Sequence, residues 1–172
     1  MYRERERQGS KLQDKEVLSA RAASFTIWLL ISFGMLFQFL FIPMLSRELP
    51  SNYVEFQGDG LSIQLFLSSI TLTAQSTLFA VSFLLHRILK GTLINKSALT
   101  WVNTLAISCW SFSVLLVGLL YWLSIQGAAG PAIALGLIGA ALVAAAFAFV
   151  TLSLKYVLKA AIANQQELEA VI

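Results

Sequence analysis

The sequence predicts an all-α fold: a polytopic membrane protein built as an antiparallel four-transmembrane-helix bundle with both termini cytoplasmic. Three observations predict it. Of 172 residues, 58% are hydrophobic and only 12% charged, about half the charge that the surface of a water-facing domain carries. Four uncharged apolar stretches are each long enough to cross roughly 30 Å of hydrocarbon at about 1.5 Å per residue. All of the 12 Lys and Arg except Arg47 fall on one side of the membrane those stretches define, the side that basic loops keep in the cytoplasm.

The composition also excludes whole classes of chemistry. Cys109 is the only cysteine and has no partner in the chain for a disulfide. His86 is the only histidine, so a tetrahedral Cys/His metal centre has no ligand set. No glycine-rich phosphate loop is present, and no cofactor is expected. Proton and ion relays use titratable side chains within the bilayer, and the four stretches contain no Asp, Glu, Lys or Arg.

Taken in order, residues 1–24 read as a charged cytoplasmic tail in which Arg3, Arg5, Arg7, Lys11, Lys15 and Arg21 alternate with acids. The transmembrane domain follows over 25–154. Its first span, about 25–45, is longer than a secretory signal core and ends in Phe41-Ile42-Pro43-Met44-Leu45, with no small-residue cleavage site, so it reads as a retained anchor. An outer loop over 46–60 carries Pro50, Gly58 and Gly60, and Tyr53-Val54-Glu55-Phe56 alternates enough for one short extended piece. The second span covers 61–85. The inner connection, His86 to Ser97, reads as a basic last turn, a glycine cap at Gly91 and an N-cap at Asn95 or Ser97. The third span covers 101–125. Five residues then lead to Pro131, whose missing N–H suits a first helical turn, so the third and fourth spans form a hairpin. The fourth covers 131–154. Beyond Gly139 there is no glycine or proline, and residues 155–172 are expected to continue as a cytoplasmic helical extension reaching roughly 27 Å past the membrane.

Three sets of residues are candidates for function. Gln64, Ser68, Thr71, Gln75, Ser82 and His86 recur at helical spacing along the second span as a polar stripe. It serves either as hydrogen-bonding glue between helices or as the lining of a hydrophilic path. Ala132, Gly136, Ala140, Ala144 and Ala148 repeat every four residues in the fourth span, a spacing that lets helix backbones approach closely, inside one molecule or between copies in a homo-oligomer. The cytoplasmic face offers Arg87, Lys90 and Lys96 from the inner connection. It also offers Leu158, Ile162, Glu167, Leu168 and Glu169 from the extension, a surface suited to a protein partner. The bilayer is the obligatory partner, and direct nucleic-acid binding is not expected, because the basic excess follows the positive-inside pattern.

The inner connection Gly91-Thr92-Leu93-Ile94-Asn95-Lys96-Ser97-Ala98, its continuation Leu99-Thr100-Trp101-Val102-Asn103, and the ending Ala160 to Ile172 with Glu167-Leu168-Glu169 resemble the bacterial family catalogued as domain of unknown function 2975. The resemblance covers about residues 25–172. The chain departs from it at Ile94-Asn95, where a Phe-Ser pair is usual, and in its longer charged N-terminal segment. The resemblance implies a multi-pass protein of the inner (plasma) membrane with no established activity, often the membrane half of a pair with a small helix-turn-helix regulator. Two readings follow. The first is a non-enzymatic membrane partner of a cytoplasmic protein; the alternative is a small oligomeric transporter or exporter component.

Overall fold

The computed structural model describes residues 2–89 and 96–170. Helix α1 (Tyr2–Leu36) passes through a single π-helical turn, Phe37–Phe41, into α2 (Ile42–Asn52). A 3₁₀ turn, Val54–Phe56, leads to α3 (Gly60–Leu89), and α4 (Lys96–Ile125) and α5 (Pro131–Ala170) complete the chain. Four helical segments are long and apolar enough to cross a membrane: Arg21–Asn52, Gly60–Arg87, Ser97–Ile125 and Pro131–Asn164.

The first of these is longer than the expected span, and Pro43 explains its irregularity. Proline has no N–H to give the carbonyl four residues back, and its ring crowds that carbonyl. The ladder widens just before it: the Ile42 N–H reaches the Phe37 carbonyl, five residues away. This single wide turn lets the helix continue to Asn52 instead of ending near Leu45. Of Tyr53 to Phe56, expected to be extended, Tyr53 is so, whereas Val54–Phe56 turns as a 3₁₀ helix, with Gln57 N–H donating to Val54 O at 3.2 Å. A lone extended piece has no neighbouring strand to satisfy its backbone, and no strand occurs among the described residues.

The helices pack chiefly on their neighbours in the chain: α1 and α2 on α3, α3 on α4, and α4 on α5. Each junction is antiparallel. Trp28 meets Phe79 edge-on at 6.0 Å between centroids, Phe83 stacks on Trp101 at 4.1 Å, and Trp110 meets Phe149 edge-on at 5.2 Å. The start of α1, the end of α3, the start of α4 and the end of α5 therefore share one end of the molecule.

The seams combine small side chains with a few branched ones, Ile31, Ile42, Ile63, Val102, Leu116 and Ile162. Ala80, Ala98, Ala106, Ala141 and Ala148 are buried, as are Ser108, Ser113 and Thr151. In lipid there is no hydrophobic drive between helices, so close approach at small residues and hydrogen bonds across the gap hold them together. Other large side chains point outward: Leu135, Leu142, Phe147 and Val157 on α5 are all more than half exposed, as lipid-facing residues are.

At the opposite end, the 3₁₀ turn folds over the α3–α4 junction. Phe56 stacks on Trp122 at 5.8 Å, Phe66 leans on the same indole at 5.8 Å, and Gln126 Nε2 donates to Asp59 Oδ2. The α4–α5 connection closes with Gly127 at φ +70°, Ala128 N–H donating to Leu123 O at 3.0 Å and Gly127 N–H to Ser124 O at 3.2 Å. That pair of bonds is a Schellman cap, which requires a left-handed residue at the glycine position.

Candidate functional site

The polar stripe of α3 divides once it is placed in the fold. Gln75 is buried at 4% exposure, Ser68, Thr71 and Ser82 are half-buried, and Gln64 and His86 are exposed. Thr71 in the stripe and three hydroxyls beside it bond within α3 itself. Thr71 Oγ1 donates to Leu67 O at 2.8 Å, and the neighbouring Thr73, Ser76 and Thr77 each donate to the carbonyl four residues back. Back-bonding of this kind satisfies a Ser or Thr donor within its own helix. Gln75 is the member that touches another helix: a Cβ at Gly34 of α1 would lie 2.9 Å from its Nε2.

Sequence reasoning missed the residue one turn beyond Gly34. Gln38 lies within the π turn, and its Oε1 is buried without a hydrogen bond, as is Gln75 Nε2. The signal was present, since Gln38 is the only amide in the first span and a lone amide in hydrocarbon must face protein.

The small-residue repeat of α5 crosses from one face to another. Ala148 is fully buried and Ala144 half-buried, whereas Ala132, Gly136 and Ala140 are exposed, and a Cβ at Gly136 would meet nothing within 4 Å. With 3.6 residues per turn, a strict four-residue step rotates about 40° each time. Starting from Ala148 on the α4 seam, Ala132 therefore ends on the far side. The seam follows Ala141, Ala148 and Thr151 instead, joined to α4 where Ser113 Oγ donates to Ala141 O at 2.9 Å.

Further along the same seam, Lys155 Nζ donates to Asn103 Oδ1 at 2.7 Å. Asn103 is thereby the acceptor for the first cation after the apolar stretch of α5. Two turns later Ile162, expected on the partner-facing surface, is buried at 7% exposure. The antiparallel register brings this point level with the first turn of α4, so Ile162 belongs to the intramolecular seam. Leu158 and Arg87 are half-buried. Lys90 lies outside the described residues, as do the side chains of Lys96, Glu167, Leu168 and Glu169.

An all-helical chain with four spans of this length and hydropathy defines a multi-pass helical membrane protein. The chain belongs to the family described as "Protein of unknown function (DUF2975)", whose model matches residues 22–172. No curated protein and no solved structure matches it.

Proposed function

We propose that this is a non-enzymatic protein of the bacterial inner (plasma) membrane that holds a cytoplasmic protein partner at the membrane surface. A helix-turn-helix regulator is the partner implied by the family resemblance. The observation that carries this reading is the length of the first and last helices. α1 begins at Tyr2 and α5 runs to Ala170, so both overshoot their apolar segments at the same end of the molecule. α1 runs roughly 28 Å before Arg21 and α5 roughly 9 Å beyond Asn164. Each extension continues a spanning helix that already nucleates it, and so presents a preformed helical surface to a partner.

The side chosen for this end rests on charge. Arg21, Arg87, Lys155 and Lys159 lie there, whereas Glu48, Glu55 and Asp59 lie at the other end with Arg47, and an excess of Lys and Arg marks the cytoplasmic side. With Ile162 committed to the seam, the surface offered to a partner is Lys159, Asn164 and Gln166, which are exposed.

The test is in-cell cross-linking and purification through an N-terminal tag, comparing the full chain with one truncated after Ala163, which keeps Ile162 in place. A helix-turn-helix regulator recovered with the full chain and lost on truncation, at equal membrane insertion, is the expected result. Recovery that ignores the truncation, or that returns only copies of the chain, contradicts the reading. The alternative, a small oligomeric transporter or exporter component, has support in the buried amides of Gln38 and Gln75. Against it stand Thr71, Thr73, Ser76 and Thr77 of α3, whose hydroxyls bond their own helix.

A further inference from the structure

The α1–α3 seam carries a buried amide oxygen, Gln38 Oε1, and a buried amide nitrogen, Gln75 Nε2, neither of which makes a hydrogen bond. Gln75 is 4% exposed, and its Nε2 makes no hydrogen bond within the chain. Gln38 Oε1 is equally shut off from solvent and equally unbonded. Trp28 against Phe79, Gly34 against Gln75 and the Ser46 carbonyl against Gly60 fix the register, which sets Gln38 level with the Thr71 turn, one turn outward from Gln75. Side chains on a helix tilt toward its N-terminus. Because the helices are antiparallel, Gln38 leans back toward Gly34 while Gln75 leans out toward Thr71, and the two amides approach one another. Gly34 lets the Gln75 amide lie close against α1, since a Cβ there would be 2.9 Å from Nε2. The π turn at Phe37–Phe41 lies at this level, and such turns often mark functional sites within helices.

We infer that this seam binds one hydroxyl group, from water or from a small neutral alcohol, which accepts from Gln75 Nε2 and donates to Gln38 Oε1. The chemistry selects this class. One donor and one acceptor are both satisfied by an O–H group, and a buried polar group away from water requires such a partner. A charged ligand has no counter-ion here, because 25–45 and 61–85 contain no Asp, Glu, Lys or Arg. A bulky ligand has no space beside Gly34. The inference is independent of the partner reading, since it concerns a point within the spans rather than the helical extensions.

The experiment is NMR on the full chain, with ¹⁵N-labelled Gln side chains, in nanodiscs of acyl-deuterated phosphatidylcholine. Gln75→Leu, or Gln75→Asn where the leucine variant fails to insert, identifies the Gln75 amide by the loss of its signal. A cross-peak from that amide to water establishes water as the occupant; a cross-peak to the hydroxyl of a co-purified molecule establishes an alcohol. In Gln38→Leu the same cross-peak is lost while the Gln75 amide signal itself persists. Cross-peaks from the Gln75 amide only to protein or lipid protons, or an occupant that ignores Gln38→Leu, overturn the site.

Discussion

Lys155 and Asn103 are joined across the α4–α5 seam by a hydrogen bond of 2.7 Å from Nζ to Oδ1, at the level where the apolar part of α5 ends. The bond fixes the axial register of the hairpin at one end, as Ser113 on the Ala141 carbonyl fixes it at mid-span. Interhelical bonds in membranes average only about 0.6 kcal/mol, with a maximum near 1.7. A charged donor places this one toward the upper end, and Lys155 remains half-buried, with its stem free to snorkel toward water. A double-mutant cycle of Asn103→Leu and Lys155→Met, read by reversible unfolding in detergent, should give a coupling of about 1 kcal/mol. Additive single effects would show that the bond contributes nothing.

The drift of the small-residue repeat predicts opposite outcomes at two positions that look alike in sequence. Ala148→Leu places a large side chain in a fully buried seam position and should cost about 1–3 kcal/mol by overpacking. Gly136→Leu meets open space and should leave monomer stability undiminished, with up to about 1 kcal/mol gained in helix propensity. Thermal unfolding of both variants in nanodiscs checks the contrast, and equal destabilisation would move the seam to the other face.

Two glycines at close approaches should also differ. A Cβ at Gly60 would lie 2.6 Å from the Ser46 backbone carbonyl, whereas at Gly34 it would meet the flexible end of Gln75. Gly60→Ala must therefore shift α2 against α3 and is expected to cost about 1–3 kcal/mol. Gly34→Ala should cost less, because a side chain rotates away and alanine gains up to about 1 kcal/mol of helix propensity over glycine. The order of their unfolding midpoints is the measurement.

The spans were legible because length and the absence of charge report directly on a bilayer, and Pro131 after a five-residue connection announced the hairpin. The packing faces were less so. Lipid-facing and seam-facing positions are both apolar, so hydrophobic periodicity, which separates core from water in soluble proteins, loses its contrast here. That is why Ile162 read as a surface residue, and why the α5 repeat left packing within one molecule and packing between copies both open. Pro43 was visible, but its consequence was not: a proline can end a helix or be absorbed by a wide turn, and the contact between the Ser46 carbonyl and Gly60 that the longer helix makes is non-local. The pairing of Asn103 with Lys155 joins residues 52 positions apart and has no local signature.

The account rests on the end of the molecule that carries Lys155 and Lys159 facing the cytoplasm. The direct measurement uses single cysteines at Glu55 and Gln166 in a Cys109→Ser background, since Cys109 is the only native thiol, probed in cells with a membrane-impermeant maleimide. Labelling at Glu55 in intact cells and at Gln166 only after permeabilisation is the expected result. Labelling of Gln166 in intact cells would place the helical extensions outside and contradict a cytoplasmic partner.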